Sequence, residues 1–175
     1  MGKRSSGSFE RQKRDFYPTP FSAVEPLLPH LLEKTVFDEP CAGNGALVDH
    51  LESSGHRCLR ATDIEPQRDD VGTFDAFDIE SSYGDCFITN PPWNRKFLHP
   101  LILHLCEIAP TWLLFDADWM HTRQATEYLP YCKKIVSVGR VKWIPDSPHT
   151  GKDNAAWYLF YTRTENSPVD FWGRR

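Results

Sequence analysis

Apolar positions along this chain follow two rhythms, and their alternation predicts its architecture. Short runs rich in β-branched and aromatic residues read as strands: "TVFDEP", "RCLRATDIEP", "DCFITNPP", "TWLLFDAD", "KKIVSVGRVKWI" and "NAAWYLFYTR". Between them lie segments with helical spacing. Phe21 to Leu32 places Val24, Leu27, Leu28, Leu31 and Leu32 on one face, with Ser22 as a cap. "ALVDHLESSG" ends on Gly55, where a helix-terminating glycine belongs. Phe97 to Ile108 aligns Leu98, Leu101, Ile102, Leu105 and Ile108, and Trp119 to Leu129 reads as a further helix. Strands alternating with helices at this spacing predict an open, mostly parallel sheet with helices on both faces, an α/β fold.

In such sheets ligands lie beyond the carboxyl ends of the strands, where the strand order reverses. The unusual turns all fall at those ends: "EPCAGNG", "DIEP", "TNPPWN" and "DADW". A chain of 175 residues, 40% of them hydrophobic, suffices for one well-buried core. It contains no run of about 18 apolar residues that would span a membrane. Its polar, basic start is no secretory signal, so a cytoplasmic protein is expected. Five cysteines, an odd number without a C-x-x-C pair, argue against a disulfide framework. They and the seven scattered histidines show no metal-ligand spacing, so no metal is expected.

The net charge of −4 conceals an asymmetry. Lys3, Arg4, Arg11, Lys13 and Arg14 crowd residues 1–14 against a single Glu10, a basic flexible arm suited to phosphates. The rest of the chain is acidic.

The first glycine turn narrows the ligand. Gly43 and Gly45 permit a tight turn whose amides approach a bound molecule, but the turn lacks both the three-glycine dinucleotide pattern and the lysine of a phosphate loop. Glu39, just ahead of it, would repel a pyrophosphate and attract an ammonium. Asp63, ending the next strand, is placed to accept from ribose hydroxyls. A nucleoside without phosphates and with a cation fits this set, and S-adenosylmethionine is such a molecule.

"DFYPTP", "VFDEPCAGNG", "ATDIEP", "FDAFDIE" and "DCFITNPPW", in this order, resemble the successive motifs of class I S-adenosylmethionine-dependent methyltransferases. The resemblance is to the amino-methyltransferases of DNA, in particular the small adenine-N6 type common in bacteriophages and prophages. It covers the chain from Asp15 onward and implies a Rossmann-like catalytic domain over 15–175. That domain would have a seven-stranded sheet with an antiparallel late strand and no separate target-recognition domain. It also implies S-adenosyl-L-methionine as donor, S-adenosyl-L-homocysteine as product, and the cytoplasm of a bacterial or phage-infected cell. Thr19, in the threonine-proline pair with Pro20 and two positions after Tyr17, would touch the methionine carboxylate. Pro40, Cys41, Gly43 and Gly45 would form the floor beside Glu39. Asp63 would hold the ribose and Ile64 pack on the adenine. Asp78, followed by Ile79, would accept from the adenine amino group, although Asp75 lies in a similar setting three residues earlier.

The same resemblance makes "NPPW" the catalytic elbow, and the chemistry accounts for it. The lone pair of an exocyclic amine is delocalised into its ring. If the Asn90 side-chain oxygen and the Pro91 carbonyl accept the two amine hydrogens, the nitrogen is drawn toward a tetrahedral shape and becomes nucleophilic. Pro91 and Pro92 fix the direction of that carbonyl and stop the strand. Trp93 would stack on the target base.

The expected activity is methyl transfer to a nucleobase amino group, adenine N6 in DNA, with relaxed sequence specificity. Cytosine N4, RNA adenine and a protein glutamine amide are alternatives, and a catalytically silent module that binds cofactor and nucleic acid is another. Nucleic acid is the expected partner. Arg11, Lys13 and Arg14 in the arm, with Arg140, Lys142, Trp143 and Lys152 in the loop 140–154, are its candidate contacts. Asp116 and Asp118 depart from the apolar character expected there and, if they line the cleft, would disfavour a nearby phosphate.

Overall fold

The computed structural model describes residues 17–144, 151–162 and 168–174. The arm 1–14, with Arg11, Lys13 and Arg14, lies outside them, as do residues 145–150 of the 140–154 loop.

Each strongly patterned apolar run forms a strand: β1 (Val36–Glu39), β2 (Arg57–Asp63), β4 (Cys86–Thr89), β5 (Thr111–Asp116), β6 (Cys132–Arg140) and β7 (Asn154–Phe160). Two short strands, β3 (Gly72–Thr73) and β8 (Asp170–Trp172), complete one sheet in the order β3-β2-β1-β4-β5-β7-β6-β8. β1, β2, β3, β4 and β5 run parallel, β7 lies antiparallel between β5 and β6, and β8 pairs parallel with β6. The expected open α/β architecture is thus present with eight strands rather than seven. β8 has only three residues and all are exposed, so it carries no core-facing pattern that periodicity could detect.

Two helices cover opposite faces. α2 (Ala46–Ser53) lays Leu47, Val48 and Leu51 on Phe37, Ile88, Trp112 and Leu114. α3 (Arg95–Ile108) covers the other side, with Leu98, Ile102 and Cys106 against Leu113 and Phe115, and Leu101 and Leu105 against Phe87. Neighbours along β5 alternate between the two cores because successive strand side chains point to opposite faces. No helix among the described residues is long and apolar enough to cross a membrane.

Two predicted helices are shorter or tighter than their periodicity suggests. The segment Phe21 to Leu32 forms one α-helical turn, α1 (Phe21–Val24), then a 3₁₀ turn over Leu28–His30. Pro26 and Pro29 lack the amide hydrogens a continuous helix needs. Its apolar residues still dock, and the Trp157 indole N–H donates to the Ala23 carbonyl at 2.7 Å. Trp119 to Leu129 becomes successive 3₁₀ turns, interrupted at Thr122, which is extended and donates its hydroxyl to the Trp119 carbonyl. β6 stops at Arg140, short of the predicted "VKWI".

Candidate functional site

The strand order reverses between β1 and β4, and one cleft opens at their carboxyl ends. Its floor is the turn that joins β1 to α2. Gly43 (φ 54°) and Gly45 (φ 73°) take left-handed conformations there, and Gly45 caps α2. The turn is tied to the end of β2. The Ala42 amide donates to the Thr62 carbonyl at 2.9 Å, and the Gly43 amide donates to Asp63 Oδ2 at 2.9 Å. The other oxygen of Asp63 accepts from the Glu65 amide at 2.8 Å. A carboxylate oxygen has two lone pairs, so each retains one for a ligand.

Glu39 ends β1 beneath this turn. It is 2% exposed, lines the cleft, and its Oε2 has no hydrogen-bond partner. Burial first, and then the negative charge of Asp63, holds its carboxyl well above the ordinary carboxylate range, with Arg68 opposing. Cys41 lines the same floor, and burial followed by the charges of Asp63 and Glu39 pushes its thiol up. The cleft wall carries Glu39, Asp63 and Glu65, and among the described residues no lysine or arginine lines it. Such a surface suits a cationic group and opposes phosphate.

The double-proline elbow forms the far wall. Asn90 follows β4 and lines the cleft, with Pro91 buried and Pro92 facing in. The Asn90 Nδ2 donates to the buried Thr19 hydroxyl at 3.1 Å, joining the elbow to the Tyr17–Pro20 segment. The Trp93 indole N–H donates to Asn90 Oδ1 at 3.2 Å and to the Leu114 carbonyl at 3.1 Å. An indole N–H only donates, so the amide oxygen must face it, and that oxygen keeps one lone pair free. Asn94 ends the elbow by accepting from the Lys96 amide at 3.0 Å, which caps α3.

Of the residues predicted to bind the cofactor, Tyr17, Thr19, Glu39, Cys41, Gly43, Asp63, Ile64 and Asn90 line this cleft. Pro20, Pro40 and Gly45 shape its backbone without lining it. Ile79 is 1% exposed and packs on Phe87, Leu101 and Leu105, as core rather than cleft wall. Asp78 is exposed and does not line the cleft. Asp75 does not line it either; its charge acts weakly on the Cys41 thiol, and its side chain accepts from the Phe77 amide. The strong acid-apolar pattern of Asp78-Ile79 is used to bury Ile79. The Trp93 ring is half-buried, packed against both cores and edge-on to Trp143, with centroids 5.6 Å apart at 86°. Its indole N–H braces Asn90.

Pro18, Asn44, Leu47 and Gln67 line the cleft without having been singled out from the sequence. Gln67 comes from an irregular loop with no periodic signal. Arg140, Lys142 and Lys152 are exposed, and Trp143 is half-buried. Asp116 has a structural part: its Oδ1 accepts from the Asp118 amide at 2.9 Å, and its carbonyl accepts from the Tyr158 hydroxyl at 3.1 Å. Burial raises its carboxyl above the ordinary range. All five cysteines are free thiols, and no cluster among the described residues has the ligands for a metal ion.

No protein-family model matches the chain, and no curated protein matches it in sequence. Solved structures share its fold. A candidate RNA methyltransferase of Pyrococcus horikoshii superposes with a TM-score of 0.56 at 18% identity, over 87% of this chain and 90% of that one. A dimethyladenosine transferase of Plasmodium falciparum gives 0.53 at 14% identity, over 83% of this chain and 62% of that one. The M protein of the type I restriction enzyme EcoKI gives 0.55 at 11% identity, over 83% of this chain and 44% of that one. The chain thus spans less than two thirds of the latter two. At these identities the likeness establishes a Rossmann-like class I methyltransferase fold.

Proposed function

We propose that this chain is an S-adenosylmethionine-dependent methyltransferase acting on an exocyclic amino group of a nucleobase, adenine N6 in DNA foremost. The observation that carries this is the convergence of Asn90, Glu39 and Asp63 from three strand ends on one cleft at the reversal of strand order. The cleft fits the donor on its own evidence. Glu39 holds a buried, unpartnered carboxyl oxygen suited to an ammonium, Asp63 keeps lone pairs for two hydroxyls, and no lysine or arginine among the described residues lines the cleft to hold phosphates. When bound, S-adenosylmethionine supplies an electrophilic methyl group on sulfur.

The residues then divide the work. Glu39 accepts the ammonium, Asp63 the ribose, and the half-exposed Ile64 covers the adenine face. Asn90 Oδ1 and the Pro91 carbonyl accept the hydrogens of the target amine, which frees the nitrogen lone pair. The bonds from Trp93 and to Thr19 hold the Asn90 amide in place beforehand, so little reorganisation accompanies transfer. The methylated nitrogen gives up one proton to solvent. An RNA adenine is the second reading, favoured by the near-complete coverage of the Pyrococcus chain.

The test is incubation with radiolabelled donor and separate pools of DNA, RNA and protein, followed by digestion of the labelled pool. Label is expected as N6-methyladenine in DNA, and label confined to protein would overturn the proposal. Asn90→Ala should lose about 10²–10³-fold in kcat while still binding donor in calorimetry. Near-normal turnover would refute the role of that amide.

A further inference from the structure

Behind the cleft, the segment 64–71 leaves β2 and brings Ile64, Glu65 and Gln67 to the cleft wall. Without regular structure it depends on a few ties. The Gln67 amide donates to the Gly43 carbonyl at 3.0 Å. Next to it, Arg68 reaches back across the turn. Its Nη1 bonds Asp49 Oδ2 on α2 at 2.7 Å, and its Nε bonds Asp70 on its own loop.

The guanidinium also rests on Gly45. A Cβ built there would overlap the Arg68 guanidinium carbon and crowd both terminal nitrogens. Glycine at 45 is favoured by its φ of 73°, and any larger residue there would also push the Arg68 side chain off the turn. The planar fork fits this position, joining acceptors on two different elements while lying against a backbone turn. A lysine offers a single point of charge and no plane.

From this geometry we propose that Arg68 is a positioning residue, a clasp that fastens the 64–71 wall to α2 and so sets the affinity for the methyl donor without touching it. The idea rests on the reading that the cleft takes that donor. The carboxylates it binds are largely exposed, at 57% for Asp49 and 68% for Asp70, so global stability gains little from these pairs. Their effect falls on the local opening of the loop. Arg68 also opposes Asp63 in the field at Glu39, so its loss leaves that carboxyl harder to ionise.

The experiment compares the unaltered protein with Arg68→Ala, Arg68→Lys and Asp49→Asn. Calorimetry would use S-adenosylhomocysteine, kinetics would be run at saturating donor, and amide exchange would be followed in the unliganded protein. Arg68→Ala should weaken ligand binding roughly three- to fivefold with kcat retained, and Asp49→Asn should weaken it by a similar or smaller factor. The double variant should be no worse than Arg68→Ala alone, and Arg68→Lys should recover only part of the affinity. Exchange at the Gln67 amide should quicken in Arg68→Ala. Binding within twofold of the unaltered protein, a loss confined to kcat, or unchanged Gln67 exchange would each overturn the clasp. If the unaltered protein binds no ligand, the cleft reading falls, and the exchange measurement still decides whether Arg68 holds the loop.

Discussion

Replacing Glu39 by glutamine keeps the shape of the side chain and removes its capacity to ionise. The carboxyl is 2% exposed, with Oε2 unpartnered, and Asp63 and Asp49 outweigh Arg68 around it. Its folded pKa is therefore raised above the ordinary 4.5. A group raised in this way contributes stability that is complete below the unfolded pKa and is lost as pH rises through the folded one. The ligand-free protein should accordingly lose stability with rising pH above 4.5, a loss the Glu39→Gln variant escapes. Ligand binding should move oppositely. An ammonium favours the ionised carboxylate, and a hydrogen bond to a charged group contributes about 1.5–3 kcal/mol. The variant should then bind S-adenosylhomocysteine roughly 10- to 150-fold more weakly. In the unaltered protein, affinity should rise as pH climbs above the ordinary 4.5, with a flatter profile in the variant. Thermal unfolding with and without ligand across that range, together with calorimetry, measures both effects. Equal affinities, or a ligand-free variant less stable than its parent at the upper end of the range, would refute the reasoning.

Trp93→Phe keeps an aromatic ring but removes the N–H shared between Asn90 and Leu114. If that bond orients the amide, kcat should fall about two- to twelvefold, the worth of one hydrogen bond, with donor affinity unchanged. Steady-state kinetics with donor varied separates the two, and an unchanged kcat would return Trp93 to a packing role. His99 accepts the Trp119 indole N–H on Nε2 at 3.0 Å, so that nitrogen must be unprotonated. Burial, then Arg95, lowers its pKa below the ordinary 6.5, so its contribution is present above that value and is lost as pH falls through the folded pKa. Between about pH 7.5 and about pH 5.5 the His99→Gln variant should lose less thermal stability than the unaltered protein, and equal losses would count against it.

Local pattern revealed most of the frame. The β-branched and aromatic runs of β1, β2, β4, β5, β6 and β7 carry their own periodicity, as do the apolar faces of α2 and α3. The turns after β1 and β4 announce themselves through residues with special backbone demands: Gly43, Gly45 and the pair Pro91-Pro92. Where the pattern misled, a stronger effect outweighed periodicity. Prolines inside the Phe21–Leu32 face broke a helix its periodicity favoured. Ile79 went to the core, which left the neighbouring Asp78 outward.

The sequence by itself determined the alternation of strands and helices and the residue types at each strand end, because these follow from side-chain period and backbone restriction along neighbouring positions. Only the tertiary structure decided which of those ends meet. The pairing of β1 with both β2 and β4 sets Glu39, Asp63 and Asn90 around one cleft, encloses Glu39 deeply enough to resist ionising, and turns Trp93 inward to hold an amide. It also lays Arg68 on Gly45 across 23 positions of sequence (68 − 45 = 23). Contacts of this kind depend on how strands order themselves across a sheet, and no local period along the chain encodes that order.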